Sequence, residues 1–238
     1  MQLQRYYEVS QAPDIESFRR LLSRFVADMG FGLFSAFLVM ENPLDKKAPV
    51  VHSVNNVPET LAAALSDRAF VDRDPIIKQL KMLSVPVIYD QELYVAERAG
   101  DIWEMQAPYG YKTGISVALH LSNHRHFVMG VDRDMLLPIS DGELSRMMAD
   151  LQLLATHSFE ASMRLMLPML QPRFSKLSNR ELEVLKWTLD GKTAWEIGVL
   201  LGISERTVVF HVNSSMHKLG TINKHQAALK ALQFGLIH

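Results

Sequence analysis

Hydrophobic positions along the chain recur with two different periods, and each switch of period marks a new element. From Asp14 or Pro13 a helix is predicted, with Phe18, Leu21, Leu22, Phe25 and Met29 on one face and Gly30 closing it. Leu33 to Met40 reads as a strand, "ENPLDKKAP" as a turn-rich loop, and Val50 to Val54 as a second strand. Residues 58–66 read as helix, a short helix follows Asp74-Pro75, Val85 to Tyr89 is extended, and Glu97 to Ala107 is helical. Ile115 to Leu121 and Phe127 to Val131 predict a hairpin across "SNHRH". A long helix then runs from Asp141 to about Leu167, with Leu144, Met147, Met148, Leu151 and Leu154 on its apolar stripe. Pro168 and Pro172 interrupt it. The fold class read here is α+β, an antiparallel sheet flanked by helices over residues 1–167, with 168–176 as a linker.

Residues 177–238 carry a different pattern, four helix-start signals each closed by a stop. Ser178-Asn-Arg-Glu181 and Thr193-Ala-Trp-Glu196 are capping boxes, in which hydroxyl and carboxylate satisfy each other's backbone N–H groups. Ser204 and Asn223 begin two more runs. Gly191, Gly202, Gly220 and Gly235 stand where the helices should stop. The two central helices are separated only by Leu201-Gly-Ile-Ser204, the spacing of a helix-turn-helix.

The helix opened by Ser204 splits into two faces. Val208, Val212 and Leu219 form a core stripe. Arg206, Phe210, Asn213 and His217 lie opposite, with Val209 and Ser214 on the flanks. A recognition helix needs such a split, because one face is buried while the other enters a major groove. Arg206 and Asn213 suit base edges or phosphates. Lys192, Thr193, Ser204 and Thr207 stand near helix starts, where the dipole and free N–H groups favour phosphate. An ordinary four-helix bundle with a solvated outer face would show the same spacing.

The run "LSNRELEVLKWTLDGKTAWEIGVLLGISERTVVFHVNSSMHKLGTINKHQAALKALQFGLI" resembles the C-terminal DNA-binding domain of LuxR-type transcription regulators, and it covers about a quarter of the chain. The family's glutamate, leucine and glycine match Glu181, Leu185 and Gly191. All three read as structural: a capping acid, a core residue and a helix stop. Two flanking positions depart. Val209 stands where the family has lysine, asparagine or arginine, and Ser214 where it has asparagine. Valine cannot donate to guanine but can contact a thymine methyl, so the departure bears on the operator sequence.

Composition changes the picture in three places. The 238 residues, 48% hydrophobic and 21% charged, are enough for one large globular domain and one small one. The net charge of −1 conceals an asymmetry: residues 173–238 hold nine Lys/Arg against five Asp/Glu, a balance of +4, and residues 1–172 carry −5. The basic end is the expected DNA end, and the acidic remainder is not expected to bind nucleic acid. With no cysteine there is no disulfide framework, thiolate metal site or cysteine nucleophile. No apolar run approaches a membrane span and "MQLQRYYEVSQ" is no signal peptide, so the expected location is the cytoplasm.

The larger part resembles the family's autoinducer-binding domain. Asp74-Pro75 matches an Asp-Pro pair, and Trp103 and Ala107 match a Trp/Phe-x-x-x-Ala segment followed by Gly110 and Gly114. The resemblance implies an acyl-homoserine lactone buried between sheet and helices, with Asp74 accepting its amide N–H. The plain reading of the Asp-Pro dipeptide is a surface turn. Leu61 and Leu65 stand where the family has the tryptophan and tyrosine that donate to the lactone and acyl carbonyls. Tyr89 replaces a usual tryptophan, Ser116 keeps a hydroxyl, and a hydroxyl position on the last strand is Gly130. A site that loses hydrogen bonds to a polar ligand loses discrimination. Three outcomes stay open: a small apolar signal molecule that is not a standard lactone, a lactone bound differently, or no ligand at all.

His120, His124 and His126 are close in sequence, and two of them fall in the expected hairpin turn without an acidic or thiol partner, so a solvated turn is read there and no metal site. Trp187 and Trp195 read as packing residues. No phosphate loop, nucleophile elbow or cofactor motif appears, so no enzyme is expected. The opening residues lack the acid pair and strand of a phosphorylated response regulator, which is the weaker alternative. The family resemblance implies a ligand-coupled homodimer on double-stranded DNA, since two recognition helices must reach half-sites about one turn apart. The long helix 141–167 is the expected dimer face, with a smaller contribution around Leu229 and Leu232.

Overall fold

The computed structural model describes residues 3–41, 49–65, 67–121, 125–138, 140–170 and 176–237, with Ala64, Leu65 and Leu170 described in their backbone only. They form two compact units, one ending at Leu170 and the other comprising the C-terminal residues from 176.

In chain order the first unit contains α1 (Leu3–Ser10), α2 (Ile15–Asp28), β1 (Leu33–Met40), β2 (Val50–Asn55), α3 (Glu59–Leu65), α4 (Arg68–Val71) and α5 (Pro75–Leu80). It continues with β3 (Val87–Asp90), α6 (Gln91–Ala96), α7 (Gly100–Gln106), β4 (Thr113–Leu121), β5 (Arg125–Arg133), α8 (Asp141–Leu165) and α9 (Leu167–Leu170). The five strands form one antiparallel sheet in the order β2-β1-β5-β4-β3. Strand alternation assigns its two faces. On one face Phe34, Ala36, Leu38, Ile115, Val117, Phe127, Met129 and Val131 are buried, and the Phe127 ring meets Phe159 of α8 at 6.2 Å. On the other face Tyr89, Ala118 and Val128 pack with Ile76, Ile102 and Trp103 from the helices between β2 and β4. The candidate ligand site lies on this second face.

The predicted strands and the first predicted helix appear within one or two residues of their expected ends. Asp14 caps α2 by accepting the Ser17 N–H at 2.7 Å, a contact worth about 1 kcal/mol. The opening residues also form a helix, α1, where Tyr6 donates to Asp150 of α8 at 2.8 Å. Several expectations are corrected. The helix expected over 97–107 begins only at Gly100, because Arg98 takes φ +56° and separates α7 from α6. A left-handed arginine leaves no signature in the chain, because glycine is the residue that usually marks such a break. Pro168 does not open a linker but sits in the first turn of α9, where its missing N–H costs nothing. Of the expected linker 168–176, residues 168–170 are therefore helical, and 171–175 lie outside the described residues. Leu151 and Leu154, expected on a dimer face, are fully buried in the unit's own core.

The second unit is four helices, α10 (Asn179–Leu189), α11 (Ala194–Leu201), α12 (Glu205–Leu219) and α13 (Lys224–Gln233). Both capping boxes form, and Ser204 and Asn223 cap α12 and α13. All four expected stop glycines take positive φ. Gly198 lets α11 approach the tight turn, since a Cβ there would lie 2.8 Å from the Ile203 carbonyl oxygen. Two small clusters hold the helices, one around Leu185, Leu219, Ala228 and Ala231 and the other of Val184, Ile197 and Val208. Trp187 packs on the second cluster, but Trp195 is 64% exposed and is not the core residue expected. The first turn of α11 projects it outward, whereas Ile197 faces in.

Candidate ligand and nucleic-acid sites

Asp74 sits immediately before Pro75, and the dipeptide builds a helix start instead of a bare surface turn. Its Oδ1 accepts the Ile76 N–H at 2.7 Å and the Ile77 N–H at 3.0 Å. Its Oδ2 accepts the Tyr94 hydroxyl at 3.2 Å. Burial raises the carboxyl above its ordinary value, opposed by the two backbone N–H groups and by Tyr94. Tyr94 in turn leans on Trp103, ring centres 5.3 Å apart.

A second polar cluster lies on the same sheet face. Tyr89, Gly114 and Asp132 occupy one row across β3, β4 and β5. Tyr89 donates to Asp132 Oδ1 at 2.7 Å, and Ser116 donates to the Tyr89 oxygen at 3.4 Å. Both contacts depend on missing side chains. A Cβ at Gly114 would fall 2.3 Å from the Tyr89 ring, and one at Gly130 would fall 2.6 Å from Ser116 Oγ. The space a side chain at Gly130 would need is thus taken by the Ser116 hydroxyl. Asp132 is fully buried; desolvation pushes its carboxyl up to about 7, with the Tyr89 hydrogen bond opposing and the Asp74 charge adding to the rise. Burial also pushes the Tyr89 and Tyr94 phenols up, so both stay protonated as donors.

The sheet brings Tyr89, Ser116 and Gly130 together, and Tyr94 and Trp103 join them to Asp74. Leu61 is buried on α3 but is not among the residues packed around Tyr89 and Trp103. The Leu65 side chain lies outside the described residues. Sequence reasoning missed Tyr94, Gln106 and Asp132. Asp132 was findable, since strand alternation puts Val128, Gly130 and Asp132 on one face; nothing local marks the other two. Beside the cluster a cleft of about 430 Å³ is lined by Trp103, Ala107, Gly110, Tyr111, Asp90 and Lys112, among others, a volume in the range of small-molecule sites.

His120 and His126 are partners across β4 and β5, with their Nδ1 atoms 2.9 Å apart, so His126 belongs to a strand and not to the turn. His124 lies outside the described residues. No cluster of three metal-ligating side chains occurs among the described residues.

In the second unit Arg206, Phe210, Asn213 and His217 are all exposed along one face of α12, opposite buried Val208 and Leu219. Val209 is also exposed. Ser204 Oγ meets Thr207 Oγ1 at 2.7 Å, and Thr193 Oγ1 donates to Glu196 at 2.8 Å, so these hydroxyls are partly engaged in capping. Lys192 is half-buried. Ser214 departs from the free-face expectation: its hydroxyl turns inward and donates to Glu181 Oε1 at 2.6 Å. Glu181 also receives Lys218 Nζ at 2.8 Å and the Ser178 N–H at 2.6 Å. Burial acts to raise its carboxyl, but these hydrogen bonds outweigh burial and hold it at about 2.

An α+β sensing unit joined to a four-helix reader defines a ligand-responsive DNA-binding regulator. Residues 14–162 match the family model described as "Autoinducer binding domain", and residues 175–231 match "Bacterial regulatory proteins, luxR family". The chain belongs to the LuxR family of quorum-sensing transcription regulators, with an autoinducer-binding domain followed by a helix-turn-helix DNA-binding domain. It is 30% identical to the transcriptional activator protein SolR of Ralstonia nicotianae (strain ATCC BAA-1114 / GMI1000) over 98% of this chain and 97% of that protein. It is 31% identical to the regulatory protein SdiA of Escherichia coli (strain K12) over 84% of this chain and 82% of SdiA. The solved structure of SdiA in complex with octanoyl-rac-glycerol superposes with a TM-score of 0.82 at 26% identity, covering 99% of this chain and 94% of that one. Among the described residues, no helix is long and apolar enough to cross a membrane.

Proposed function

We propose that this regulator acts as a cytoplasmic homodimer, and that its first unit binds a neutral, acyl-chain-like signal molecule not selected by the usual lactone contacts. The observation that carries the reading is the half-buried Asp74 paired with buried Tyr94 beside Trp103, combined with leucine at positions 61 and 65. The carboxylate retains acceptor capacity for a ligand N–H or O–H, while the two family donors to the ligand's carbonyls are missing. The SdiA structure, whose ligand is an acylglycerol, supports a head group other than a lactone. On the DNA side, Arg206, Asn213 and His217 are assigned to bases and phosphates, Val209 and Phe210 to apolar base contacts, and Lys192, Thr193, Ser204 and Thr207 to the backbone. The activity is binding, with no chemical turnover.

The test is thermal shift of the full-length protein across acyl-homoserine lactones and acylglycerols, because a ligand of the folded form raises the melting temperature by mass action. Stabilisation by micromolar unmodified lactone, and not by acylglycerol, would sink the ligand class. A second reading, ligand independence, is favoured by the Tyr89 ring lying over Gly114, where the chain fills its own groove. A flat response with operator binding intact supports that reading.

A further inference from the structure

The hydrogen-bond donors of the ligand cluster are almost all committed. The Tyr94 hydroxyl hydrogen goes to Asp74, that of Tyr89 to Asp132, and that of Ser116 to Tyr89. Positions 61 and 65 offer only aliphatic side chains. One donor remains. Gln106, at the end of α7, is 3% exposed, and its amide lies against the Tyr94 hydroxyl. Its Nε2 reaches no acceptor at good hydrogen-bond distance and angle, and approaches the Tyr94 oxygen only weakly. Burying an amide donor without an acceptor is a net cost to the folded chain, and such a group in a native protein calls for a physical explanation. Here the next residue, Ala107, and Trp103 one turn earlier both line the 430 Å³ cleft.

We infer that Gln106 is the donor that reads the acceptor end of the ligand, taking over from the two side chains replaced by Leu61 and Leu65. The inference rests on the proposed ligand-binding function and specifies its chemistry. The molecule carries an apolar chain and a neutral head group with two features: an N–H or O–H for the Asp74 carboxylate, and a carbonyl oxygen for Gln106 Nε2. Acylglycerols and acyl lactones both meet this requirement. Simple alkyl ethers and hydrocarbons lack the carbonyl. Gln106 supplies its hydrogen bond from α7, whereas the two leucines stand on α3.

The test measures affinity by titration calorimetry on the full-length protein with three probes: 1-octanoylglycerol, octanoyl-homoserine lactone, and 1-O-octylglycerol, the ether that lacks the ester carbonyl. The wild-type protein is expected to bind the ester about tenfold more tightly than the ether, the scale of one neutral hydrogen bond. In Gln106→Leu the two affinities should converge through weakening of the ester alone. The unliganded variant should melt no lower than wild type, because an unpaired buried amide has been replaced by an apolar group of similar size. Gln106→Met provides the same comparison with a more adaptable side chain. Equal binding of ester and ether by the wild-type protein overturns the inference without any variant, and so does an ester preference that survives in Gln106→Leu. If lactone is bound and both glycerols are not, the carbonyl contact stands or falls on whether Gln106→Leu weakens the lactone. Failure of the wild-type protein to bind any of the three overturns the inference together with the ligand-binding function, whereas the earlier outcomes overturn Gln106 alone.

Discussion

Tyr89 donates its phenolic hydrogen to Asp132, 2.7 Å away and two strands over, across the bare backbone of Gly114. The contact joins three strands on the face that packs against the ligand-site helices. It leaves a carboxyl group wholly buried with one hydroxyl as its side-chain partner. Tyr89→Phe keeps the ring and removes the hydroxyl, so the cost should be that of an orphaned buried acceptor, about 1–3 kcal/mol. Gly114→Ala should cost at least as much, since its Cβ would lie 2.3 Å from the ring. Urea denaturation followed by far-UV circular dichroism reads both; wild-type midpoints for the two variants would show that the contact contributes nothing.

The same carboxyl predicts a pH dependence. Asp132 is raised to about 7 in the folded chain, against about 4 when unfolded. The folded state therefore holds the proton more tightly. Its contribution is present below the unfolded value and is lost as pH rises through about 7. Asp74 is shifted in the same direction. The first unit should have a higher urea midpoint at pH 5 than at pH 8, and Asp132→Asn should flatten much of that slope. An equally steep slope in the variant would assign it to other groups.

Glu181 predicts the opposite slope in the second unit. Its carboxyl is lowered to about 2 despite burial, so its contribution is present above the unfolded value near 4.5 and is lost as pH falls through about 2. Glu181→Ala would leave the Lys218 ammonium and the Ser214 hydroxyl without their carboxylate. A loss of about 2–4 kcal/mol is expected, since breaking a largely buried pair leaves an uncompensated group. Native-state hydrogen exchange of α10 and α12 amides in the full chain measures it, and unchanged protection would refute the network's role.

Arg206→Ala should weaken operator binding by about 1–3 kcal/mol if the side chain reads a base. Thermal stability should be unchanged, because Arg206 is exposed. Val208→Asp, one turn of the same core stripe, should unfold the small unit, because Val208 is fully buried. Gel-shift titration and calorimetry separate the two, and a wild-type binding curve for Arg206→Ala would move the reading face elsewhere.

Leu151→Asp should unfold the first unit instead of only dividing a dimer. The side chain is fully buried among the residues of its own chain, and an unpaired charge there costs several kcal/mol. A soluble monomer with native ellipticity would contradict this placement.

Helix ends in the second unit were legible because their causes are local. A capping hydroxyl, an acid three residues on and a terminal glycine act within one or two turns, so Ser178, Glu181, Thr193, Glu196 and the four glycines could be read directly. Strand alternation in β1, β4 and β5 is equally local, and it placed the sheet and its faces. Whether an apolar stripe meets its own core or another surface is not a local property. Leu151 and Trp195 carry the same pattern as many core residues, yet one is sealed inside and the other is 64% exposed. The turn of Ser214 toward Glu181 and the left-handed Arg98 likewise depend on what stands across the gap.

The chain alone determined the two-unit plan, the helix-turn-helix and the basic reading end, because composition, periodicity and capping are properties of neighbouring residues; the loss of two polar side chains at Leu61 and Leu65 is read only through the family resemblance. Only the tertiary structure decided that Tyr89 crosses Gly114 to Asp132, that Tyr94 turns to Asp74, and that Gln106 is left with an unpaired donor beside them. These residues lie up to 58 positions apart, from Asp74 to Asp132. Their hydrogen bonds exist because sheet pairing and helix packing remove water from around them, and no local pattern encodes which polar group will find its partner there.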